Sequence, residues 1–128
     1  MTSLRLHRLI AFVLFLPAAI HVQACGDPLE PVRVSETVNV SLKNTDTYQY
    51  PTVSGDEEGA IISRQATHHS ISEIRRGEET NWVAVYVYQP AAGFVGSDQA
   101  EIEIFTGSDG ASPPTNIRTV IFRFDIHD

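Results

Sequence analysis

Beyond residue 31, hydrophobic and polar positions alternate with a period of two along most of the chain. Val38, Val40 and Leu42 take turns with Asn39, Ser41 and Lys43, which predicts a strand with one buried face. Tyr48 and Tyr50 repeat the spacing before Pro51, and the segment 54–59, SGDEEG, reads as a polar turn. Ile61, Ile62, Ile71 and Ile74 fall in short β-rich pieces, and Arg76-Gly77-Glu78-Glu79 makes another turn. From Trp82 to Tyr88 the chain is apolar on both faces, with Trp82, Ala84, Tyr86 and Tyr88 on one and Val83, Val85 and Val87 on the other. Such a run predicts a central strand covered on both sides and ended by Pro90. Trp82, Tyr86 and Tyr88 are then expected in the core, because sandwiches commonly bury a tryptophan on a central strand. Ala100, Ile102 and Ile104 alternate with Gln99, Glu101 and Glu103. After the loop 107–114, Val120, Phe122, Phe124 and Ile126 line one face of a last strand. Nothing after residue 24 sustains a 3.6-residue apolar period. Seven or so strands punctuated by Gly and Pro indicate an all-β, antiparallel sandwich.

Residues 1–24 follow a different rule. Arg5 and Arg8 supply a positive start, Leu9 to Ile20 is free of charge, and small Ala24 closes the segment. That is the layout of a secretory signal peptide cut after Ala24. Twelve apolar residues reach about 18 Å as a helix, against a hydrocarbon core of about 30 Å, so a retained span is not expected. Val22-Gln23-Ala24 before Cys25 also resembles a bacterial lipobox, in which the cysteine becomes the acylated first residue. Gln23 departs from the small or aliphatic residue usual there. Cys25 is thus either a lipidation site or an incidental thiol beside an ordinary cut. Both readings place the domain outside the cytoplasm: periplasmic, secreted or lipid-anchored. The expected organisation is signal peptide 1–24, polar leader 25–31 (CGDPLEP to Pro31) and sandwich domain 32–128.

Composition narrows the partners. The whole chain carries a net charge of −7, and residues 25–128 hold seven basic and sixteen acidic groups, a net −9. This argues against nucleic acid, whose binding relies on basic patches. It leaves a lipid chain as the means of holding the domain at a membrane. The single cysteine excludes an intramolecular disulfide and any multi-thiolate metal site.

One segment is more specific. Tyr88-Gln89-Pro90-Ala91-Ala92-Gly93-Phe94-Val95-Gly96-Ser97-Asp98 resembles the Y-x-P-x-x-G-F-x-G-x-D signature of bacterial Ig-like, cadherin-like repeat domains. The following EIEIFTGSDG resembles their alternating strand and glycine-bearing loop, and IRTVIFRFDI their closing strand. The resemblance implies an Ig-like sandwich over most of residues 31–127, from a family usually found in tandem arrays on surface proteins. Here there is one copy. Physically, Gly93 and Gly96 suit a tight corner with positive φ, and Phe94 can plug the end of the sandwich. Asp98 is expected to cap turn backbone N–H groups instead of entering the dry core.

Candidates for chemistry are sparse. His68-His69 is the one histidine cluster, but neighbouring strand residues face opposite ways and cannot easily share a metal, with or without His127. Asp56-Glu57-Glu58, together with Asp98 or Asp109, could offer oxygens to calcium, although a solvated acidic turn is the simpler reading. Glu101 and Glu103 read as a solubilising pair on a strand edge rather than glycosidase acids. No nucleophile elbow or phosphate loop is present, so neither catalysis nor a cofactor is expected. The remaining candidates are aromatic: Tyr48 and Tyr50 either face a ligand or join the core. The expectation is a non-catalytic exported binding or structural accessory domain at the bacterial cell envelope, engaging another protein. The alternatives are a carbohydrate-binding module using exposed tyrosines, or a metal-assisted hydrolase.

Overall fold

In a computed structural model that describes residues 29–128, the alternating segments become seven strands. Residues 1–28, which include the expected signal peptide with its cut after Ala24, the candidate Cys25 and most of the expected leader, lie outside the described residues. The strands are β1 (Val32–Lys43), β2 (Tyr48–Ser54), β3 (Gly59–Arg64), β4 (His69–Arg75), β5 (Val83–Pro90), β6 (Gly96–Thr106) and β7 (Asn116–His127). A 3₁₀ turn at Glu78–Thr80 interrupts the connection from β4 to β5. Two sheets result, one of four strands in the order β1-β7-β6-β3 and one of three in the order β2-β5-β4. This is the all-β, seven-stranded sandwich that the alternation predicts.

One pairing departs from antiparallel order. β1 runs parallel to β7 in unbroken register from Val32↔Asn116 to Lys43↔His127. Parallel neighbours need a long crossover connection. Here the whole of β2 to β6 provides it: the chain passes between the two sheets, places β3 and β6 in the sheet of β1, and comes back beside β1 only with β7.

The core forms where β7 faces β5 and β2. Phe122 and Phe124 are buried, and Tyr86 and Tyr88 stack on them at centroid distances of 5.0 Å and 3.9 Å. Tyr50 meets Phe122 edge-on at 5.1 Å, and Tyr48 meets Phe122 and Phe124 at 5.8 Å and 5.7 Å. These T-shaped contacts bring ring edges onto electron-rich faces. Tyr48 and Tyr50 therefore do not form a ligand-facing row. The register explains why: Tyr48 lies opposite Tyr88 and Tyr50 opposite Tyr86, and directly paired residues share a face.

β5 is central, as its doubly apolar pattern predicts. Its outward Val85 and Val87 are nevertheless buried. Their cross-strand neighbours are Pro51 and Gln49 on one side and Arg75 and Glu73 on the other. Arg75 Nε donates to Glu73 Oε1 at 2.6 Å, an ion pair that runs along β4 beside the two valines.

Two expectations are corrected. Trp82 is not core: it precedes β5 and is 61% exposed. Asn81 and Trp82 both adopt positive φ, 51° and 62°, and this left-handed step breaks the alternation one residue before the strand begins. Glu101 and Glu103 lie on β6, which is interior to its sheet, so they guard no edge. Arg64 pairs with Glu101 at 3.4 Å and Arg33 with Glu103 at 3.8 Å, bridging to both sides.

Phe122 touches four aromatic rings drawn from both sheets. Phe122→Ala should lower the unfolding free energy by about 4 kcal/mol in urea titration, the range for a large buried aromatic.

Candidate functional site

The 88–98 motif sits at one end of the sandwich, with the connections 44–47, 65–68 and 91–95 and the last residues of β7. Its first and last members bond directly: the Tyr88 hydroxyl donates to Asp98 Oδ2 at 3.0 Å. The Asp98 carboxylate also accepts the backbone N–H groups of Thr67 (2.9 Å), His68 (2.8 Å) and Gln99 (2.9 Å). Asp98 thus caps backbone as expected, but those of the β3–β4 connection and of its own strand. It does so while itself buried, at 8% exposure. A buried carboxylate is tolerated when donors replace water, and four do so here.

The rest of the motif shapes the corner. Pro90 ends β5 in the core, while Gly93 (φ 74°) and Gly96 (φ 139°) take backbone conformations that a side chain would strain. Phe94 is half-buried against the core, and the His68 ring stacks on it at 4.1 Å with the planes 6° apart. Ala91 N–H donates to the His68 carbonyl at 3.0 Å, tying the corner to the same connection.

Electrostatics follow from this packing. Burial pushes the Asp98 carboxyl up, but the N–H groups of Thr67, His68 and Gln99 and the Tyr88 hydroxyl outweigh it, so its pKa is lowered. Burial and the Asp98 charge both raise the Tyr88 phenol. Burial pushes the Tyr86 phenol up to about 12. That hydroxyl lies 2.9 Å from Ser72 Oγ, which itself donates to Gln65 Oε1. None of these groups is poised to exchange protons near neutrality.

The remaining candidates do not converge. His69 opens β4 with Nδ1 buried and unpartnered, while His68 belongs to the preceding connection and His127 to the end of β7. Among the described residues no group of three His, Cys, Asp or Glu side chains comes together. Asp109 is spent locally, its carboxylate accepting the N–H groups of Ala111 (3.1 Å) and Ser112 (2.7 Å).

The opposite end holds what the alternation missed. There the connections 55–58, 76–82 and 107–115 meet. Arg76 ties the first two together by donating Nε to the Trp82 carbonyl (3.0 Å), one terminal nitrogen to the Glu58 carbonyl (2.8 Å) and the other to the Gly55 carbonyl. Trp82 N–H reaches back to the Gly77 carbonyl at 2.8 Å. The indole is left projecting from a loop whose backbone is fixed on both sides. Around it these connections carry six acidic groups and only Arg76 as a base, a net −5. The described residues as a whole, with fifteen acids and seven bases, total −8. Asn81 is the one sequence signal for this geometry, since asparagine tolerates the left-handed region.

No family model matches the chain, and no curated protein matches it. Among solved structures, it is similar to an endo-fucoidan hydrolase from glycoside hydrolase family 107 at 14% identity and TM-score 0.45. That likeness covers 71% of this chain and 12% of the hydrolase, so the chain spans a small fraction of that protein's length. It is also similar to the cysteine protease inhibitor EhICP2 from Entamoeba histolytica at 15% identity and TM-score 0.39, over 75% of this chain and 94% of that one. Neither likeness carries a functional inference.

A carboxylate whose pKa is lowered in the folded state favours folding above its unfolded value, about pH 3.9, and that contribution is lost as pH falls through the folded value. Asp98→Asn keeps the shape but turns one acceptor into a donor. It should cost about 2–3 kcal/mol at pH 7, and its deficit against the native protein should shrink below about pH 4. Urea unfolding at pH 7 and pH 3 reads both.

Proposed function

We propose that this protein is an exported, non-catalytic binding or structural accessory domain of the bacterial cell envelope, and that it holds another protein at the end carrying Trp82. The observation behind this reading is an indole 61% exposed on left-handed backbone, with Arg76 committing three donor groups to the carbonyls around it. Strained backbone that the surroundings hold in place is concentrated at binding sites, and tryptophan is enriched among the residues that dominate protein interfaces. A pre-set loop also lowers the ordering cost of association. The surrounding acidic groups favour a partner that presents Lys or Arg, one of which can lie over the indole face.

Other features support the setting. Segment 1–24 has the layout of an export signal, and the 88–98 motif resembles that of bacterial surface repeat domains. The chain enters β1 at the Trp82 end, where Val32 N–H donates to the Thr115 carbonyl at 2.9 Å. A lipid on Cys25 would hold that end toward the membrane, so the partner belongs to the same surface. A sugar site built on Tyr48 and Tyr50 loses its basis, because both rings pack inward.

Glycine accepts positive φ without penalty, so Trp82→Gly should raise stability by about 1 kcal/mol while removing the anchor. Cross-linking of intact cells followed by capture through a C-terminal tag should recover a partner with the native protein. Recovery should fall at least about tenfold with Trp82→Gly, a loss of about 1.4 kcal/mol, and with the charge reversals Glu57→Lys and Glu79→Lys. Equal recovery by Trp82→Gly would sink the reading. Growth with radiolabelled palmitate should mark the native protein and not Cys25→Ala; an unlabelled native protein would leave cleavage after Ala24 without acylation.

A further inference from the structure

We propose that the outer face of the four-stranded sheet binds a neutral, hydroxyl-rich oligosaccharide, at a site separate from the Trp82 end. A groove of about 770 Å³ crosses this face, a volume typical of ligand sites. Its floor is the backbone of β1, β7 and β6, and the connection holding Thr67 and His68 walls it together with Arg64.

The register turns this floor into a grid. Asn39 pairs with Arg123 and Arg123 with Gln99; one step along, Ser41 pairs with Asp125 and Asp125 with Ser97. Odd-numbered positions of β1, β6 and β7 point outward, opposite buried Leu42, Ala100, Phe122 and Phe124. Strands lie about 5 Å apart and same-face residues about 7 Å apart along each strand. Six polar side chains therefore fill a patch roughly 10 Å by 7 Å.

This patch differs from the rest of the same face. Arg64 at the groove wall is neutralised by Glu101, and Arg33, farther along, by Glu103. In the groove, Arg123 and Asp125 form no ion pair among the described residues. Gln99 uses its amide N–H on Glu101 at 3.0 Å, which leaves its carbonyl oxygen free.

The chemistry fits adjacent hydroxyls, each of which both donates and accepts. Arg123 is a donor only, Asp125 an acceptor only, and Asn39, Gln99 and the two serines are both. The planar guanidinium, carboxylate and amide groups can each engage two neighbouring oxygens at once. Asp125 opposes an anionic ligand, and none of the large exposed hydrophobic side chains lines the groove to anchor a protein. At the wall, His68 is held flat on Phe94, presenting a ring face against which a sugar ring can pack. The Asp98 carboxylate, which fixes the His68 backbone, sets the position of that wall.

Affinity electrophoresis of the purified protein through gels containing dextran, laminarin, yeast mannan or polygalacturonate tests this assignment. Retardation is expected in at least one neutral glycan, weakened at least about tenfold by Arg123→Ala and by the double variant Asn39→Ala/Gln99→Ala, and unchanged by Trp82→Gly. These groove residues are exposed or half-exposed, and the variants should melt as the native protein does. Retardation insensitive to Arg123→Ala, retardation by polygalacturonate alone, or none in any gel would each overturn the proposal. Loss through Trp82→Gly would also overturn it, by moving the site to the loop end.

Discussion

A single carboxylate gathers the chain at one end of the molecule. Asp98 projects from β6 toward the interior, receives the hydroxyl of Tyr88 from the opposing sheet, and holds two consecutive N–H groups of the β3–β4 connection. The two strands of the 88–98 corner and the connection some thirty residues upstream are thereby fixed by one buried charge. Such a group is costly without its partners and specific with them. The stacked rings beneath depend on the same arrangement, since Tyr88 must stand upright to reach Asp98 and in doing so lies flat on Phe124. The apolar and polar requirements at this end are met by one orientation of one side chain.

The two ends solve the problem of loose connections with opposite charges. At the motif end an anion collects backbone N–H groups. At the other a cation, Arg76, collects backbone carbonyls. Both satisfy main-chain groups that the ladders leave over. The surroundings then diverge: Asp98 is enclosed, while Arg76 stands among acidic loops and beside an exposed indole. The first arrangement confers rigidity, and the second presents a surface.

How much of this could be read from the chain depends on how local the cause is. The strands β5, β6 and β7 were legible because alternation and glycine corners are properties of neighbouring residues. The capping role of Asp98 was legible for the same reason, through its phase with Ala100 and Ile102, although its partners at Thr67 and His68 were not. The alternation misplaces Trp82 because it runs smoothly into β5 and gives no sign that Asn81 and Trp82 leave extended backbone. The orientation of Tyr48 and Tyr50 is set by their pairing with Tyr88 and Tyr86, which no local pattern encodes. Glu101 and Glu103 took on a different role once β6 proved interior. The grid of Asn39, Arg123 and Gln99 belongs to no segment at all: it exists only because β1 lies beside β7, a contact between the first and last strands.

That contact also determines how the domain would carry load. The first strand begins at the end from which the last departs, so β1 and β7 run side by side with their free ends at opposite poles. Tension applied between those ends pulls the strands past one another, and the cross-links between them share the force together instead of parting one at a time. Failure then requires many bonds to break in one event. A domain tethered at its start and gripped at its finish would behave as a stiff link, yielding abruptly and only under high force.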